Sequence, residues 1–164
     1  MAGPARETTA GTGRKRGLPA PPELLAAPGY VARRLHQAYV AAWVRMVDPT
    51  LTGPQFAVLT AVDAYPGVEQ GSLASSVALD RSTMASIVRR LEDRGLIVRH
   101  TPADDGRKRL LHLTDSGAAV LRDADRRARE LDVHLMRGYP AAEQDRLLRE
   151  LTALSEHWES LVDD

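Results

Sequence analysis

The stretch from Leu79 to Arg99 constrains the fold most, because it carries its own start signal, apolar stripe and stop signal. Asp80 suits an N-cap: its carboxylate can accept from the free backbone N–H groups two and three residues on. Gly95 suits a stop, since glycine takes the left-handed conformation that closes a helix. Between them Met84, Ile87, Val88 and Leu91 recur at helical spacing and form one apolar stripe. Ser82, Thr83, Ser86, Arg89 and Arg90 fall on the opposite face. Short hydroxyls near the N-terminus and arginines further along suit a helix laid into a DNA groove, where hydroxyls approach base edges and arginines reach guanine or phosphate.

The segment after this helix points the same way. Leu96, Val98 and Arg99 open a strand, Pro102 to Gly106 supply a turn, and Leu111, Leu113 and Thr114 close a second strand. The turn and return strand carry Arg107, Lys108 and Arg109. A helix-turn-helix followed by a basic hairpin predicts a winged helix, in which the helix enters the major groove and the hairpin touches the neighbouring minor groove or backbone. Charge is segregated accordingly. From Arg81 to Thr114 there are eight basic residues against four acidic, and from Asp115 to Asp164 twelve acidic against seven basic. A basic middle and an acidic end fit a chain that meets phosphate with one segment only.

The rest of the chain frames this module. Residues 1–27 are rich in Gly, Pro, Ala and Thr, with a basic run at Arg14, Lys15 and Arg16, and show no apolar period; disorder is expected to about Leu24. Residues 28–164 then read as a single domain, with the winged helix at about 51–114 and flanking helices at about 28–47 and 115–162. The first of these, roughly Tyr30 to Val47, carries Val31, Leu35, Ala38, Ala42 and Met46 on one side and spaces Tyr39 and Trp43 four residues apart. It therefore has more than one face to bury. Thr52 caps a second helix with Phe56, Leu59 and Val62 inward, and a short helix at about Gln70 to Ala78 turns Leu73, Ala74 and Val77 inward. Beyond the hairpin, Thr114 starts a helix to about Arg137, and a last helix runs from about Ala141 to Leu161. The fold class is mainly α with a small β-hairpin wing. The outer helices exceed what one winged helix needs for its own core and predict a dimerisation layer, which would set two recognition helices about one DNA turn apart.

Four stretches in order, Thr52 to Leu59, Leu79 to Thr83, Leu91 to Ile97 and Asp105 to Thr114, resemble the MarR family of transcription regulators. The resemblance implies a homodimer that binds a pseudo-palindromic double-stranded operator, usually represses, and releases DNA when a small molecule binds. It implies a wing in which Arg107 enters a narrow minor groove while Asp105 holds the hairpin tip. By position Ser82, Thr83, Ser86 and Arg89 are then groove readers, and Arg90, Lys108 and Arg109 phosphate contacts. Arg94 and Arg99 are expected to serve local ion pairs. Residues 27–39 followed by Trp43 look like the branch that senses aromatic carboxylates, which implies Arg33 as the carboxylate-binding residue, with Tyr39 and Trp43 offering ring faces.

Other functions find less support. The absence of cysteine excludes disulfides and thiolate metal sites, and no metal or other cofactor is expected. His36, His100, His112, His134 and His157 lack metal-ligand spacing, and no phosphate loop or nucleophile motif occurs, so an enzyme is not expected. No apolar run approaches the roughly 20 residues of a membrane span, and a cytoplasmic protein is the expectation. A helical protein-interaction module would account for the long amphipathic helices, but not for the basic hairpin behind a hydroxyl-rich helix.

Overall fold

The structure is a computed structural model and describes residues 18–102 and 108–163. The chain forms two compact units, one through Gln37 and one from Ala38. In the first, a short helix α1 (Pro22–Leu25) precedes the opening half of α2 (Pro28–Met46). Helix α1 falls inside the stretch expected to lack structure. Pro22 at its first position has its φ preset for a helix, and Glu23 favours the N-terminal end of the dipole.

The second unit holds the rest of α2 and then α3 (Gly53–Ala64), β1 (Val68–Glu69), α4 (Gln70–Ser76), α5 (Arg81–Asp93), β2 (Ile97–His100), β3 (Leu110–Leu113), α6 (Asp115–Leu135) and α7 (Ala141–Asp163). Thr52 caps α3 through a full capping box: its hydroxyl accepts from Gln55 N, and Gln55 Oε1 accepts from Thr52 N. The expected hairpin is present as β2 and β3, with Ile97 opposite Leu113 and His100 opposite Leu110. A third strand joins it, because β1 pairs antiparallel with β3 and the order is β1-β3-β2. Leu96 and Thr114, expected within strands, lie just outside them. Thr114 is the N-cap of α6, its Oγ1 accepting from Gly117 N and donating to Gly95 O.

Leu51, Val58, Leu59, Val88, Leu91 and Leu111 are wholly buried and knit α3, α5 and the sheet into one core, which Leu131 and Ala124 of α6 complete. Helix α7 differs. Leu148, Leu151, Leu154 and Leu161 are all exposed, although they recur at helical spacing. No helix among the described residues is long and apolar enough to cross a membrane.

Candidate nucleic-acid interface and effector helix

Helices α4 and α5 are joined by a tight turn. Ala78 takes a left-handed φ of 51°, a conformation that normally costs a residue with a Cβ about 1 kcal/mol or more, and Leu79 N donates to Ala74 O at 3.0 Å to hold it. Asp80 then starts α5 as expected, with Ser82 N and Thr83 N both donating to its Oδ1 at 2.9 Å. Met84, Ile87, Val88 and Leu91 are all buried, as their spacing predicts. Ser82, Ser86, Arg89 and Arg90 stand exposed, and Thr83 is half-buried. Gly95, at φ 67°, ends the helix. Burying one stripe against α3, α4 and the sheet leaves the opposite face of α5 as the one that can meet another molecule.

The wing is built by β2 and β3. Lys108 and Arg109 are exposed just before β3, on the side of the connecting turn; Arg109 Nη1 donates to Lys108 O at 3.1 Å and to Thr101 Oγ1 at 3.2 Å, the second bond crossing to the segment that follows β2. Asp105 and Arg107 lie outside the described residues. Arg99 pairs with Glu92 at 3.3 Å, linking β2 to the last turn of α5. Arg94 departs from its expected ion pair. Its Nη1 donates to Thr50 O at 2.9 Å, so the end of α5 is pinned to the loop between α2 and α3.

That loop is a junction with little trace in the sequence. Asp48 Oδ1 accepts from Thr50 N, Thr50 Oγ1 and Leu51 N. Partial burial works against the Asp48 charge, but these bonds and the Arg94 guanidinium outweigh it and hold the carboxyl below its ordinary value. Trp43 Nε1 donates to Leu51 O at 2.6 Å, and Arg127 of α6 donates to Val47 O at 3.1 Å. The Asp48-Pro49 pair marks a turn in the sequence, but the two distant arginines leave no local signal.

On α2, Arg33 is exposed, with its guanidinium 5.5 Å from the Tyr30 ring centroid. Trp43 is buried, and tilted rings of Tyr39 and Phe56 lie 5.9 and 5.1 Å from it. Tyr39 remains 36% exposed, so of the two expected ring contacts it is the accessible one. Burial, and then the Asp132 charge, raise its phenol above the ordinary value, so it keeps its proton at neutral pH. No group of three or more metal-ligating side chains occurs among the described residues.

Comparison with known proteins places this arrangement. The MarR family model matches residues 51–108, from the start of α3 into the wing. The transcriptional regulator HosA of Escherichia coli O127:H6 is 35% identical over 113 residues, 69% of this chain and 83% of HosA. The transcriptional regulator PcaV of Streptomyces coelicolor, solved in complex with its natural ligand, superposes with a TM-score of 0.80 at 38% identity, covering 84% of this chain and 97% of PcaV. The transcriptional repressor CouR, solved on a 23-mer DNA duplex, superposes with a TM-score of 0.75 at 32% identity, covering 82% and 96% of the two chains; CouR is also known bound to p-coumaroyl-CoA. Since the likeness runs through nearly the whole length of these regulators, outer helices included, the chain belongs to the MarR family and is a transcription regulator rather than an enzyme.

Proposed function

We propose that this regulator represses transcription as a homodimer on a pseudo-palindromic operator and leaves the DNA when a small aromatic carboxylate binds. The observation that carries the DNA reading is α5, whose apolar stripe is buried while Ser82, Ser86, Arg89 and Arg90 remain exposed. In this reading Ser82, Thr83, Ser86 and Arg89 face the groove; Arg90, Lys108 and Arg109 contact phosphate; and Arg107 enters the minor groove beside Asp105. The exposed leucines of α7 support the dimer, since a second copy would cover an apolar face that water otherwise meets. In this reading Arg33 binds the carboxylate, and Tyr39 and Trp43 offer ring faces.

Fluorescence anisotropy with the duplex upstream of the protein's own gene, at two salt concentrations, tests the reading. Binding should be tight and fall steeply with salt, because phosphate contacts release counterions. One member of a panel of benzoates, hydroxybenzoates and cinnamates should release the DNA. The thioester seen on CouR carries an aromatic ring but no free carboxylate, so aromatic coenzyme A thioesters belong in the same panel. Release by a thioester alone would refute the carboxylate reading.

Two substitutions divide the proposal into its parts. Arg33→Ala should bind the operator as the wild type does yet lose release by the acid; a fully inducible variant would remove Arg33 from the ligand site. Arg107→Ala should weaken operator binding by about 1–3 kcal/mol, roughly fivefold to 150-fold. Unchanged affinity at both salt concentrations would refute the wing assignment.

A further inference from the structure

Asp80 does more than cap α5. Its Oδ1 accepts from Ser82 Oγ at 2.6 Å, besides the two backbone N–H groups, and its Oδ2 accepts from Thr83 Oγ1 at 2.5 Å. A carboxylate oxygen can only accept, so the single proton of each hydroxyl is committed to Asp80. Ser82 and Thr83 can therefore show only lone pairs to anything outside the protein. Hydrogen bonds from Ser82 and Thr83 hold the Asp80 carboxyl far below its ordinary value, so the arrangement persists across the pH range in which DNA binding is measured.

This excludes two kinds of partner. Phosphate oxygens have no proton to give, and the keto and N7 positions of guanine and the O4 of thymine are acceptors as well. The only major-groove base groups that can donate to these hydroxyls are the amino groups, adenine N6 and cytosine N4. We propose that Asp80 fixes Ser82 and Thr83 as acceptors, so that the first turn of α5, through the Thr83 hydroxyl, selects an amino base, adenine or cytosine, over a keto base on the strand it faces. Asp80 acts through the hydroxyls and is a positioning residue. The inference rests on α5 being the groove helix, as proposed above.

One substitution reverses the Thr83 bond without removing the cap and leaves Ser82 an acceptor. Three of the four bonds fall on Oδ1, so Asp80→Asn can keep them all on its carbonyl oxygen, and asparagine caps helices about as well as aspartate. Its amide nitrogen then takes the place of Oδ2 and donates to Thr83 Oγ1, which frees the threonine proton to point outward. The full-length wild type and each variant are used to select bound sites from a random-sequence duplex library, and the bound pools are sequenced. The wild type should enrich an amino base by about fivefold or more at one position in each half-site, a preference worth about 1 kcal/mol. Asp80→Asn should turn that position towards guanine or thymine, and Thr83→Val should abolish the preference there while Thr83→Ser retains it.

Affinity alone would not serve as the readout, because Asp80→Asn also removes a negative charge beside DNA. Wild-type base preferences in a folded Asp80→Asn would overturn the proposal. If that variant fails to fold, an unchanged preference in Thr83→Val overturns it equally. Arg89→Ala separates the fixed hydroxyl protons from the groove helix itself. If it alters the selected sites while Asp80→Asn and Thr83→Val do not, the inference about the hydroxyls fails and the groove reading stands. If all three select wild-type sites, or the wild type selects none, both fall.

Discussion

Replacing Gly117 with alanine is expected to destabilise the protein by on the order of 3 kcal/mol, well above what a helix propensity change would produce. Glycine is normally a poor helix residue, and alanine in its place should gain about 1 kcal/mol. Here the new Cβ would sit 1.9 Å from Leu96 O and 2.8 Å from Leu96 C. Both are backbone atoms and cannot rotate aside. They are also held in place, because Thr114 N donates to Leu96 O at 3.1 Å and Thr114 Oγ1 donates to Gly95 O at 2.6 Å. The start of α6, the end of α5 and the entry to β2 therefore meet within one set of hydrogen bonds, and a methyl group must push them apart. Thermal unfolding followed by circular dichroism should show a drop of roughly 6–12 °C, at about 2–4 °C per kcal/mol for a chain of this size. Gly71→Ala is the control: its Cβ would meet nothing within 4 Å, so the same change there should leave the protein as stable or slightly more so. Equal melting of the two variants would refute the close approach.

The clash at Gly117 has no sequence signature, and that marks where sequence reading ends. Helix α5 was legible from end to end because cap, stripe and stop are all local; the structure returns Asp80 as cap, four buried stripe residues and a left-handed Gly95. The N-cap at Thr52 was legible for the same reason. Strand β1 was not. Two residues are too few to show alternation, and Val68 finds its partner in Leu111, far along the chain. Arg99 met its expected carboxylate one element away, in Glu92, whereas Arg94 reached back to Thr50 through a fold that the spacing of charges does not encode. Around α5 the residue types were readable and the protons were not. That Ser82 and Thr83 face outward follows from helical period, but that one carboxylate takes both hydroxyl protons depends on geometry.

The largest loss from a single side chain is expected at Trp43. It is 3% exposed and packs against Phe56, and its N–H bonds to Leu51 O, a residue wholly shielded from solvent. Trp43→Ala should cost about 3–5 kcal/mol, since the cavity it leaves is walled by helices that cannot all collapse into it. Trp43→Phe keeps most of the ring volume but leaves Leu51 O without its donor, a loss of about 1–3 kcal/mol. The difference between the two, read by urea unfolding at equilibrium, separates packing from the hydrogen bond. The functional weight of the site lies in the partners to which Leu51 is joined. The same loop is held by Arg127 from α6 at Val47 O and by Arg94 from the end of α5 at Thr50 O, so the C-terminal end of α2, α6 and α5 share one anchor. If α5 meets the DNA as proposed, Trp43→Phe should therefore weaken operator binding as well as stability, even though Trp43 stands on α2 and not on α5. Full operator affinity in a folded Trp43→Phe variant would show that the loop anchors the core without positioning α5, and equal stability of Trp43→Phe and Trp43→Ala would show that the indole contributes only its hydrogen bond.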